Sequence, residues 1–233
     1  MRGIFRNVLQ ASLAAIVLVA AIPAAAVAGE VEDAVLAEVN FARAHPQEYA
    51  QRLLAEPTTA WEASLAPDAE AADPGAFAEA VDFLMRQAPL PPLASDDVLG
   101  AAALEHVSAQ GPAGEIGHSS PAGERFDARL RRHGLRAEIA AENIAYGPAQ
   151  PSDVVRELII DAGVASRGHR RNIFHPALAS AGVSCGPHRD YGAMCVMDFA
   201  GAAPQALGWR QAALATGQSA SGGGLLSRLF GLR

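Results

Sequence analysis

Four polar stretches of this chain carry residues able to do chemistry. The first is Glu115-Ile-Gly-His118-Ser-Ser-Pro121. The second is Ala141-Glu142-Asn143-Ile144-Ala-Tyr-Gly147. The third is Val154-Val-Arg-Glu157-Leu158-Ile-Ile-Asp161, and the fourth is Arg167-Gly-His169-Arg-Arg-Asn172-Ile-Phe-His175-Pro176. Imidazoles and carboxylates are the groups that exchange protons near neutral pH or hold a divalent cation. Each stretch also has an ordinary reading. His118 serves equally as a loop or cap residue, Asn143 as a turn residue, and Asp161 as the partner of a nearby Arg. His106 lies mid-helix among apolar neighbours and reads as a satisfied core histidine. His175 and His188 read as surface residues.

Position sharpens Asp161. Val154, Leu158 and Asp161 are spaced i, i+4, i+7, so they share one face of a helix. A carboxylate at a helix C-terminus opposes the macrodipole at a cost of about 0.3–1 kcal/mol. Both facts call for a partner. Glu157 is the competing acid, off that face.

Other chemistry is excluded. All 18 basic residues are Arg, so a lysine Schiff base and a P-loop lysine are impossible. There is no HExxH, no Walker sequence and no CxxC pair. The formal net charge of −7 argues against nucleic-acid binding. Residues 29–100 hold 14 acids against 3 Arg, so the acidity lies in that third of the chain. One GxSxG occurs, Gly182-Val-Ser184-Cys-Gly186. It lies inside an expected hairpin strand, whereas a nucleophile elbow needs strand, turn and helix. Ser184 is therefore expected to be structural.

The elements that must position these residues follow from pattern. Residues 1–28 have a basic start, an apolar run and Ala26-Val-Ala28, which reads as a secretory leader cleaved before Gly29. The apolar run falls short of a membrane span of about 20 residues. Residues 31–54 show helical spacing broken at Pro46. Residues 56–80 are rich in Ala, Pro and acids and read as an exposed insertion, with one helical turn at 81–85 after it. Ser95-Asp96-Asp97 caps a helix that offers Val98, Leu99, Ala102, Ala103, Leu104 and Val107 for burial and ends near Gly111-Pro112. Ser120 and Pro121 are expected to start the next helix, with Phe126 and Leu130 on one face and Gly134 ending it. Residues 138–145 are extended. Ser152 or Asp153 caps a third helix over 154–161, and a short helical turn covers 168–174. Cys185 and Cys195 flank a Gly-Pro and Tyr-Gly loop in a hairpin. After export they read as a cystine, worth about 2–3 kcal/mol for so small a loop, or as two buried free thiols. Residues 209–233 form a Gly/Ser-rich tail with an apolar, basic end. Helices before a late hairpin, without repeating βα units, indicate an α+β fold.

Taken together, these segments resemble the CAP superfamily, also called SCP/PR-1-like. It includes cysteine-rich secretory proteins, antigen 5 and plant pathogenesis-related 1 proteins. The resemblance runs over about 31–201, excluding the insertion. It is carried by Asn40 and Arg43, Gly117-His118-Ser119, Ala141-Glu142-Asn143-Ile144, Val154…Asp161, Gly168-His169-Arg170…Asn172-Ile173-Phe174 and Gly182-Val183. The Glu-Asn and Gly-His-Arg-x-Asn-Ile pieces are the most specific.

The resemblance implies an α-β-α sandwich with a small antiparallel sheet between helices, over residues 29–208. It also implies a central cleft holding His118, His169, Glu142 and Asp161. Asp161 stands where the family usually has Glu, and Leu158 where it usually has Trp. Mixed nitrogen and oxygen ligation suits a divalent metal, Zn²⁺ above all. The function expected is a secreted or periplasmic binding module for a lipid, sterol or cell-envelope ligand. The alternatives are a metal-dependent hydrolase of peptide or ester bonds, and an envelope protein that uses the fold only as an interaction surface.

Overall fold

The computed structural model describes residues 24–56 and 73–201, with side chains from residue 29 onward. Most of the expected leader, the middle of the insertion and the whole C-terminal tail lie outside the described residues.

Helix α1, Ala24–Ala44, and helix α2, Pro46–Ala55, meet at His45, the break expected there, and Pro46 takes the first helical position. The expected cleavage point before Gly29 falls within α1. Helix α3 spans Ala76–Arg86, eleven residues where the sequence suggested a single turn. Ala76, Ala80 and Leu84 fall on one face and are buried, so the end of the insertion is helical rather than looped. Strand β1, Ala94–Ser95, leads to helix α4, Asp97–Ala113. Asp96 caps it by accepting from Val98 N and Leu99 N. Val98 and Leu104 are exposed, unlike their expected burial, because α4 lies on its Leu99/Ala102/Ala103/His106/Val107/Gln110 face.

Helix α5 begins at Phe126 and ends at Arg132, later than Ser120-Pro121 suggested. Ser120 instead closes a turn: its carbonyl accepts from Gly123 N, and its hydroxyl accepts from Glu124 N. Strand β2 is Ile139–Tyr146 and helix α6 is Pro151–Ile160, with Gln150 rather than Ser152 or Asp153 at its N-cap. Helix α7 is Gly168–Ile173, and strands β3, Leu178–His188, and β4, Gly192–Gly201, form the hairpin.

The sheet order is β1-β3-β4-β2, antiparallel except for the two-residue pairing of β1 with β3. Both sheet faces are covered, so the strands carry two different cores. Odd-numbered residues such as Ala145, Ala181, Met197 and Phe199 join the core made with α1, α2, α3, α6 and α7. Even-numbered residues such as Ile144, Met194, Val196 and Ala200 pack on α4 and α5. Period-two alternation thus builds the α-β-α sandwich. Gly182 permits the close approach of α4, since a Cβ there would collide with the backbone of Leu99 and Gly100. Cys185 and Cys195 are directly opposite in register and form the disulfide. Ser184 is buried within β3, away from any strand-to-helix elbow.

Two polar side chains of α1, half-buried Asn40 and buried Arg43, tie the layers together. Asn40 pairs with both backbone groups of Leu93. Arg43 spends its guanidinium on carbonyls, among them Pro91, Ile173 and Leu178. Those bonds hold the end of α7, the helix that carries His169.

Candidate functional site: two histidine–carboxylate pairs across one strand

Strand β2 is the free edge of the sheet, and two adjacent residues on it point to opposite layers. Glu142 faces α4 and α5. Asn143 faces α6 and α7. Each layer brings one histidine to this edge.

On the first side, His118 Nδ1 bonds Glu142 Oε1 at 2.8 Å. Glu142 is buried, while the His118 side chain is 56% exposed. Arg129 on α5, itself buried, donates to the other oxygen, Glu142 Oε2. The loop holding His118 is pinned at its peptides. Tyr146 Oη accepts from Gly117 N, and Gln110 Nε2 donates to Gly117 O, at 2.8 Å each. His106 Nε2 donates to the same Gly117 carbonyl at 3.0 Å. Gly117 has φ +103°, a conformation that favours glycine there.

On the second side, His169 Nδ1 bonds Asp161 Oδ1 at 2.7 Å. Asp161 Oδ2 accepts from His169 N at 2.9 Å and from Arg170 N at 3.3 Å. Asp161 is not inside the helix as its spacing suggested. It is the C-cap of α6, at φ +58°, and swings its carboxylate onto the following segment. These donors answer the unfavourable C-terminal position that the sequence flagged. Arg167, held by Asp73 and Glu79, donates to the carbonyls of Asp161 and Val164 and fixes the connecting loop.

Asparagines join the two sides. Asn143 Nδ2 donates to His169 O at 3.0 Å, and Asn172 Nδ2 donates to Asn143 Oδ1 at 2.8 Å. Asn172 also reaches Glu142 O at 3.4 Å. All four residues singled out in the sequence are therefore brought to one strand edge, in two pairs. Among the described residues, no three His, Cys, Asp or Glu side chains converge into a ready metal cage. The donor set is instead two imidazoles, each with Nδ1 committed to a buried carboxylate and Nε2 left over. Two partly open pockets lie elsewhere: one of about 240 Å³ beside Glu32, Asp96 and Gly182, and one of about 160 Å³ beside Tyr49 and Arg156. At the histidine site both rings reach solvent, the His118 side chain 56% exposed and that of His169 24%.

Each pair has a second acid close by. Asp198 sits opposite Glu142 in the β2–β4 register and is fully buried, with no donor on either oxygen among the described residues. Burial and the Glu142 charge push its carboxyl up to about 9. Against Glu142 it is satisfied only by carrying a proton itself. Glu157 leaves Oε2 buried without a partner, and burial followed by the Asp161 charge pushes its carboxyl up to about 8.

Sequence reasoning missed Arg129 and Asp198 and gave His106 no part in the site. Asp198 had a signal: a lone acid between Met197 and Phe199 in a strand that is apolar on both faces. His188, expected at the surface, is buried. Its Nε2 donates to Glu115 O at 2.9 Å, and Nδ1 accepts from Asp190 N and Tyr191 N. The tight β3–β4 turn folds those amides back onto its ring.

A sandwich of this layering, with paired histidines and acids at the sheet edge, defines a CAP-type domain. The sequence model of the cysteine-rich secretory protein family, CAP, matches residues 36–199, and the chain belongs to that family. Among curated proteins none matches. Similar solved structures include an extracellular SCP-domain protein from Bacillus anthracis, at 22% identity and TM-score 0.41, covering 58% of this chain and 44% of the other. An outer surface protein from Borrelia burgdorferi shows 20% identity and TM-score 0.41, covering 48% and 79%. A cysteine-rich secretory protein from Staphylococcus aureus shows 16% identity and TM-score 0.36, covering 55% and 39%. The chain thus spans less than half the length of the Bacillus and Staphylococcus chains.

Proposed function

We propose that this protein is an exported CAP-domain binding module, secreted or periplasmic. Its groove takes a divalent cation, Zn²⁺ before others, and the domain captures a lipid, sterol or cell-envelope ligand. One observation carries the metal reading: both histidines spend Nδ1 on a buried carboxylate and keep the Nε2 lone pair for the groove. A carboxylate behind Nδ1 is the usual way to orient a metal-binding imidazole and raise its basicity. His118 and His169 would hold the ion, and Glu142 and Asp161 would orient them. A bound ion supplies a Lewis acid with open positions.

Export is supported by the leader-like start and by the disulfide. Among the described residues, no helix is long and apolar enough to cross a membrane. The same two lone pairs also suit general bases, which keeps a metal-dependent hydrolase as the second reading.

Calorimetric titration with Zn²⁺ tests the site, comparing wild type with His118→Ala/His169→Ala. Heat in the wild type that the double variant loses is the expected result, and equal heats would sink the metal site. Lipid-vesicle capture that survives the same double variant favours the binding module. Metal-dependent turnover of a peptide or ester probe that the variant loses favours the hydrolase.

A further inference from the structure

His106 takes part in neither histidine–carboxylate pair, yet both of its ring nitrogens are bonded around His118. Arg129 Nη1 lies 3.0 Å from His106 Nδ1. A guanidinium only donates, so Nδ1 must be the lone pair and Nε2 must carry the proton. That proton goes to the carbonyl of Gly117, the peptide group that leads into His118. Arg129 then passes to Glu142, and Glu142 to His118 Nδ1. The bonds close a ring from His106 through the Gly117 peptide, His118, Glu142 and Arg129 back to His106. Arg129, which cannot accept, fixes the polarity of its bonds to His106 and Glu142, and the Gly117 carbonyl and the Glu142 carboxylate, which accept, fix the other two. Burial, then the Arg129 charge, hold the His106 ring below the usual imidazole range, consistent with a neutral ring.

We propose that His106 is the positioning residue of the groove: it locks the backbone and the side chain of His118 together, so that His118 carries its proton on Nδ1 and presents Nε2. This rests on the reading that Nε2 of His118 is the working atom. A purely structural histidine would stabilise the fold without setting the tautomer of its neighbour.

The test is the His118 tautomer, read from long-range ¹H–¹⁵N spectra of the metal-free full chain at pH 8. Wild type and His106→Gln, which keeps one acceptor and one donor, should show His118 protonated on Nδ1. His106→Leu should release it toward Nε2–H and weaken Zn²⁺ binding about tenfold, as loss of a supporting contact typically does. Tyr146→Phe, which removes the contacts to Gly117 N and Gln110 Oε1 but leaves His106 and Arg129 in place, should leave the tautomer unchanged. Should His106→Leu fail to fold, Arg129→Lys breaks the fork and should release His118 in the same way. An unchanged tautomer in a folded His106→Leu or in Arg129→Lys overturns the proposal, as does Nε2–H in the wild type. Absence of Zn²⁺ binding by the wild type would defeat the metal reading while the tautomer measurement still decides this one.

Discussion

His118 and His169 make nearly the same bond, Nδ1 to a buried carboxylate at 2.8 and 2.7 Å, but the two carboxylates are held in opposite ways. Glu142 is held by side chains from elsewhere in the fold. Arg129 on α5 supplies a permanent positive charge, and Asp198 on β4 shares its space. Asp161 is held by its own neighbourhood. Two backbone N–H groups within nine residues donate to it, and its left-handed C-cap aims it at them. One half of the groove is a tertiary construction and the other is a local turn. The first should fail when a distant partner is removed, and the second only when the turn itself is altered.

The sharpest break comes from Arg129→Leu. It strands Glu142 and Asp198 in the core without a cation and should cost about 3–5 kcal/mol, as losing one partner of a buried ion pair does. Urea unfolding measures this, and a cost below about 1 kcal/mol, the scale of a surface ion pair, would erase the contrast. Next is the disulfide. Cys195 is in register with Ala145, next to Tyr146, which pins the His118 loop. Cys185→Ser/Cys195→Ser should cost about 2–3 kcal/mol and raise amide exchange around Gly117 before that around His169. Equal loosening at both places would count against separate anchoring.

Asp161→Asn should cost about 1–2 kcal/mol, since the amide oxygen still accepts one N–H and Asn tolerates the left-handed conformation. The same unfolding series would show whether it approaches the Arg129 variant, which would put the two halves on one footing. The last contrast concerns pH and is read as a slope rather than as a loss of stability at one pH. Asp198 and Glu157 titrate near 9 and 8 when folded, against ordinary values of 3.8 and 4.5. The folded chain therefore keeps protons that the unfolded chain has released. Stability from these groups is complete below about pH 4 and is lost as pH rises through 8 and 9. Asp198→Asn and Glu157→Gln should each flatten the decline between pH 6 and 8, by at most about 1.4 kcal/mol per pH unit. A wild-type stability that rises over that range would reverse the assignment.

These contrasts explain what the sequence could disclose. The Asp161–His169 half is local, eight residues from acid to imidazole, so helix spacing and a motif were enough to find it. His118 and Glu142 were legible as separate loop and strand residues. Spacing alone did not pair them, because they lie on different elements and meet only in the fold, and Arg129, which holds the other Glu142 oxygen, reads as one more charge on a short Arg-rich helix. His106 looked like core, and it is core; only the fold shows which two groups share its ring. The layers were legible because strand alternation and helix periodicity report burial directly. The start of α5 was misplaced because Ser-Pro fits a turn as well as a cap, and Gly123 at φ +83° settles it as a turn. The extent of α3 was underestimated because its buried face is built from alanines, which carry little hydrophobic contrast.

The most direct test of the groove is the position of a bound zinc ion, located by anomalous diffraction from a Zn²⁺-soaked crystal. The account predicts one peak within ligand distance of Nε2 on both His118 and His169, with Glu142 and Asp161 still bonded to the two Nδ1 atoms. A peak held by the carboxylates with the Nδ1 bonds broken, or no peak at the β2 edge, would contradict it.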